Sequence, residues 1–238
     1  ISLPLETFPE LLTQSLHLPQ LKTLRIYVFM SYLTTLQEPI LRNSLAPFVE
    51  RHALTIKDLS LSCDWYLATD KLSHCYDFPS LIRALPHIPP LTSLAFLAPL
   101  PRRETKDLST LSTFISRHSD TLTALDLHLA PYVDITEEHN DYSFFISSQL
   151  RGGSDPTTFN WCPFFTLTIQ SCERLRHLTL SRLSHAIKLF PTPYLPWLAL
   201  NSGLASRLQT LPLPHNPLLE ADAIDLFNKT NFPTLKVL

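Results

Sequence analysis

One short phrase recurs along the chain: an aliphatic residue, two of any kind, a leucine, one of any kind, and a third apolar residue. It stands at Leu21, Leu24 and Ile26; at Ile56, Leu59 and Leu61; at Leu91, Leu94 and Phe96; and at Leu122, Leu125 and Leu127. It returns at Leu175, Leu178 and Leu180 and at Leu208, Leu211 and Leu213, and stops partway at Leu235 and Leu238. An internal repeat constrains architecture more than any single motif, because each copy is a supersecondary unit that cannot bury its apolar face alone. Copies laid side by side bury a continuous core, and the product is an extended surface rather than a catalytic pocket.

The second leucine of each phrase marks the period. The steps are 35 residues from Leu24 to Leu59, 35 to Leu94, 31 to Leu125, then 33 from Leu178 to Leu211 and 27 to Leu238. The exception is the 53-residue step from Leu125 to Leu178. Inside the phrase, apolar residues alternate with others, the two-residue period of a strand with one buried face. Between phrases the spacing turns helical: Leu41, Leu45, Phe48 and Val49 share one helix face, as do Leu108, Leu111, Phe114 and Ile115, with Asp107 placed to cap the second helix. Leu81, Ile82 and Leu85 make a shorter helical turn that Pro86 stops, and Ala221 to Phe227 reads as a last helix.

Each unit therefore reads helix, short link, strand. Such strands pair in parallel and their inward leucines form a ladder, each fully buried leucine contributing roughly 1.5–3 kcal/mol. A helix is wider than a strand, so the stack is expected to bend with its strands on the concave side. An eight-fold α/β barrel has the same alternation, but its strands are buried on both faces and read as continuous apolar runs. Here the alternate positions are polar, at Arg25, Ser60, Ser62, Asp126, His128, Thr179 and Ser181, which favours an open solenoid.

Composition narrows the partners. With 238 residues and 45% hydrophobic content the chain can bury a large core. Only 17% is charged and the net charge is -2, so the basic footprint of a nucleic-acid binder is missing. No apolar run approaches the ~18 residues of a membrane span. The chain opens at Ile1 without a methionine or a charged-then-apolar leader and ends in mid-phrase, which reads as a segment of a longer intracellular protein, cytoplasmic or nuclear. Prolines number 21 against 3 glycines. Proline ends helices and stiffens links, while the glycine shortage argues against phosphate-cradling loops. Cys63, Cys75, Cys162 and Cys172 match no zinc-ligand spacing and are expected to be free, mostly buried thiols. The sequon at Asn228 to Thr230 is expected to be chance.

No catalytic constellation emerges. There is no Gly-x-Ser-x-Gly elbow, phosphate loop, dinucleotide fingerprint or His-Glu-x-x-His. Residues 130–160 break the period, either as a degenerate repeat or as an inserted loop, and hold Asp134, Glu137, Glu138, His139 and Asp141. That acidic run fits neither a calcium loop nor a helical histidine pair, and reads as a solvated face. His52 and His118 occupy the same place in their units, at a helix end, where a histidine can favour the helix dipole. Asp126 and His128 are two residues apart and should share a sheet face, with no third member to complete a catalytic set. No enzyme activity, cofactor or metal is expected.

The strand period also names the surface that would bind. Arg25, Tyr27, Ser60, Ser62, Asp126, His128, Thr179 and Ser181 flank the inward leucines and should point to the concave side, with Ala95, Leu97, Pro212 and Pro214 among them. A mixed row of this kind suits a protein or peptide better than a polyanion or a membrane.

The phrase resembles the leucine-rich repeat family over nearly the whole chain, from about Leu11 to Leu238 apart from residues 130–160. The resemblance implies an α/β fold, a leucine-rich repeat solenoid shaped as a curved horseshoe, with parallel strands on the concave face and helices on the convex face. It also implies one domain over residues 1–238 with about seven irregular repeats. The asparagine that usually follows the phrase is kept at Asn216, is replaced by Asp64 after the second phrase, and is Phe29, Pro99, Ala130 or Leu183 elsewhere. Long units with real helices and few asparagines are similar to those of divergent fungal F-box-type proteins. In those proteins an upstream F-box docks on a cullin ubiquitin ligase and the repeats hold the substrate. The implied function is protein binding as the substrate-recognition region of such a receptor. The alternative is a stand-alone scaffold or recognition protein without a ligase link.

Overall fold

A computed structural model describes residues 18–29, 37–64, 78–100, 109–131, 168–182, 202–211 and 232–236. The strands are β1 (Thr23–Phe29), β2 (Asp58–Asp64), β3 (Ser93–Leu100), β4 (Ala124–Pro131) and β5 (His177–Arg182). The helices are α1 (Gln37–His52), α2 (Phe78–Ala84), α3 (Ser109–Ser116) and α4 (Ser202–Ala205). Strand and helix alternate from β1 to β4 as the two periodicities require, and the fold is α/β.

All five strands form one parallel sheet in the order β1-β2-β3-β4-β5. β1 and β5 lie at opposite edges, so these strands do not close into a barrel. Register places the phrases side by side: Leu24 pairs with Leu59, Leu59 with Leu94, Leu94 with Leu125 and Leu125 with Leu178. The 53-residue step is thus crossed in a single strand spacing, and no strand stands between β4 and β5. Ala130 and Pro131, read from the sequence as the start of the irregular stretch, instead complete β4. The rest of that stretch, the capping position Asp107, the expected helix from Ala221 and the thiols of Cys63, Cys75 and Cys162 lie outside the description.

A backbone ladder locks the turns before the strands. The Lys22 carbonyl accepts from the N–H groups of Lys57 and Asp58 at 2.7 and 3.0 Å, and the Lys57 carbonyl accepts from Thr92 and Ser93 at 2.8 and 3.0 Å. The same pair of bonds joins Thr92 to Thr123 and Ala124, Thr123 to Arg176 and His177, and Arg176 to Gln209 and Thr210. Lys236 continues the row by donating to the Gln209 carbonyl at 2.9 Å, and a bridge between His177 and Thr210 adds a sixth segment to the sheet edge. These turns sit next to the core, and paired backbone groups there avoid the cost of unmade hydrogen bonds.

One core runs the length of the sheet. Leu59, Leu61, Leu94, Phe96, Leu125, Leu127 and Leu178 are buried from the strands. Leu45 and Val49 of α1, Leu81 and Ile82 of α2, and Leu111, Phe114 and Ile115 of α3 join them in the same cluster. The i, i+3 and i+4 spacing on α1 and α3 delivers those groups to one side. Leu21 and Leu24, on the first unit, are only partly buried. Cys172 is a free, buried thiol, and burial pushes its pKa up to about 11. Among the described residues no helix is long and apolar enough to cross a membrane.

Candidate interaction face

Because the leucines at alternate strand positions are buried under the helices, the positions between them belong to the other face of the sheet. Register assembles the candidates of that face into two transverse rows. One row runs Arg25, Ser60, Ala95, Asp126, Thr179; the other runs Tyr27, Ser62, Leu97, His128, Ser181. Neighbouring strands are about 4.8 Å apart, so each row spans about 19 Å over four steps. Arg25 is exposed, and Tyr27, Ser60, Ser62, Asp126 and Thr179 are half-buried. His128 and Ser181 are placed by strand register, and their side chains lie outside the description. Pro212 and Pro214 also lie outside it.

A third row lies closer to the turns, and the sequence reading missed it. Thr23 Oγ1 donates to Asp58 Oδ2 at 3.0 Å across β1 and β2, and His177 Nδ1 lies 2.6 Å from Thr210 Oγ1 across the other edge. Polar pairs thus bracket the face at both ends, with Ser93 and Ala124 between them. In the middle of the face β2 carries Ser60 and Ser62, and β3 carries Ala95 and Leu97. The arrangement offers hydrogen-bonding groups and contact area. Among the described residues no group of three or more His, Cys, Asp and Glu side chains could hold a metal.

His52 and His118 require a correction to the dipole reading. Both are buried, at 2% and 1% exposure, and both bond through the two ring nitrogens. His52 Nδ1 lies 2.8 Å from the Phe48 carbonyl while the Leu18 N–H donates to Nε2 at 3.0 Å. His118 repeats this with the Phe114 carbonyl at 2.8 Å and the Ile88 N–H at 3.0 Å. A carbonyl on one side and an N–H on the other select the neutral ring protonated on Nδ1, not a cation facing a dipole. Each ring joins its own helix end to the link of the preceding unit. α2 ends at Ala84, before its unit's link, so Ile88 needs a partner from outside its helix; Ala53, at the equivalent place after the longer α1, donates instead to Glu50 in its own turn. A signal was present in the sequence: His17, His52, His87 and His118 each stand four residues before the first apolar residue of a phrase.

No protein-family model, curated protein or solved structure matches this chain.

Proposed function

We propose that this chain is a protein–protein interaction module: a leucine-rich-repeat-type solenoid that holds a protein or peptide partner on the strand face opposite its helices. The observation that carries the reading is the alignment of Arg25, Ser60, Asp126 and Thr179 in one row and Tyr27, Ser62, His128 and Ser181 in the next. A row of mixed polar groups on a sheet backed by one continuous core is a rigid platform, and rigidity lowers the ordering cost of binding. The biological setting we propose is the substrate-recognition region of an F-box-type ubiquitin ligase receptor, on the family resemblance of the phrase and the style of the units.

Affinity capture of the full-length parent protein from its own cells, with the co-purified proteins identified by mass spectrometry, tests the setting. Recovery of a cullin and its adaptor is the expected result, with the remaining stable partners as substrate candidates. A stable partner recovered without any ligase subunit would replace the ligase reading with a stand-alone scaffold.

A further inference from the structure

Charge is divided unevenly along this nearly neutral chain. Of its 19 basic and 21 acidic residues, the described segments hold 12 of the first and only 7 of the second. The described residues therefore carry a basic excess. Much of that excess lies on the rim formed by the turns before the strands, and it is densest over the last three turns. Arg174, Arg176, Arg207 and Lys236 stand there with Glu173 as the one acid of the described residues in those turns.

The backbone ladder sets how these cations lie together. Arg174 and Arg207 each precede the first leucine of their phrase, at equivalent places on adjoining turns, while Arg176 and Lys236 follow it on the fifth and seventh turns. Two of the guanidinium groups are held in place by carbonyls. Arg176 Nη1 donates to Glu173 and Leu175 at 3.2 and 3.0 Å. Arg207 Nη1 donates to Gly203 at 3.0 Å, and its Nη2 donates to Gln170 on the preceding turn at 3.3 Å. A guanidinium has five N–H donors, so pinning two of them leaves further donors in a fixed orientation. Burial, and the Arg176 charge beside it, hold the Arg207 pKa below the ordinary arginine value. Like charges gathered this way favour an incoming anion, which relieves their repulsion and is bound by donors already oriented.

We infer that the turns bearing Arg174, Arg176, Arg207 and Lys236 form a second docking surface, separate from the strand face, for an acidic segment of a protein partner. A carboxylate-rich polypeptide suits the patch better than nucleic acid for two reasons. The patch is confined to three turns, about 10 Å across two spacings. The middle turns of the rim carry Thr92 and Thr123 at the place of Arg176, so no continuous cationic track leads away from it. A partner with clustered aspartate or glutamate would place carboxylates against the two pinned forks.

Fluorescence anisotropy of the purified chain with a labelled deca-glutamate peptide, repeated with a labelled thymidine decanucleotide, tests this. Arg174 and Lys236 are exposed and outside the core, so the variant R174E/K236E keeps the fold, as its melting curve would verify. Expected is binding of the glutamate peptide that weakens at least about tenfold in the variant and falls with added salt. K22E/K57E, at the far end of the rim, should change that affinity less than about twofold, beyond the reach of screened charges. Equal loss in both variants, absence of peptide binding, or tighter binding of the oligonucleotide would each overturn the assignment. None of these outcomes bears on the strand face, whose residues are untouched.

Discussion

Among the described residues, His118 sits in an environment that departs strongly from water. Burial, with the His87 and Arg117 charges close by, pushes its pKa from 6.5 down to about 4, against the opposing pull of the Phe114 carbonyl. The His87 ring stacks on it with centroids 5.0 Å apart. The unfolded chain binds this proton at higher pH than the folded one does. Stability is therefore fully present above the unfolded value of 6.5 and is lost as pH falls toward the folded value of about 4. Taken alone, the shift corresponds to a loss of at most about 2 kcal/mol between about pH 7 and about pH 5. Urea unfolding at the two pH values measures it. His118→Ala should cost about 1–3 kcal/mol near neutral pH, since the Ile88 N–H loses its buried acceptor, and should flatten the acid slope. A variant as pH-sensitive as the parent would show that other groups carry the slope. Spacing alone placed His118 at a helix end but could not reveal its charge state, because that depends on the Ile88 N–H, 30 residues away in sequence.

At the scale of the element, the account rests on alternation within the strands. Leu125 is 1% exposed and pairs with Leu94 and Leu178, whereas Thr179, on the neighbouring strand, belongs to the opposite face. Leu125→Asp buries an unpaired carboxylate and should abolish the cooperative melt followed by circular dichroism. Thr179→Asn, which puts no second charge beside its register partner Asp126, should cost no more than about 1 kcal/mol, the span of strand propensity. Equal effects at the two sites would mean that the strand register is wrong. This register was legible in the sequence because the pairing of Leu24, Leu59, Leu94, Leu125 and Leu178 needs nothing beyond the phrase and a two-residue period. The helices were legible where three buried residues share a face, as Leu111, Phe114 and Ile115 do. Their ends were less so: α1 runs through Pro47, which a rule based on proline alone would have made a boundary. The adjacency of β4 and β5 could not be read at all, since the 53-residue step fits a missing unit and a looped-out segment equally well.

At the scale of the molecule, sequential strand order, a shared core and a common row of turns make one surface out of segments distant in sequence. Arg25 and Thr179 are 154 residues apart in the chain yet share one row of five. That Arg25, Tyr27, Ser60, Ser62, Asp126 and Thr179 lie away from the core was legible because alternation assigns a face without any contact information. The polar pairs Thr23 with Asp58 and His177 with Thr210 were not, because a cross-strand pair becomes visible only once the register is known. The central claim is that this face holds the partner. It is tested most directly by capturing partners with the full-length protein and with its S60R/T179R variant side by side. Both positions are half-buried on the face away from the core, so the variant should melt as the parent does. Our account predicts that the principal partner of the parent is recovered at least about tenfold less with the variant, the usual reach of disrupting a central contact. Equal recovery of that partner with both proteins, at equal folding, would contradict it.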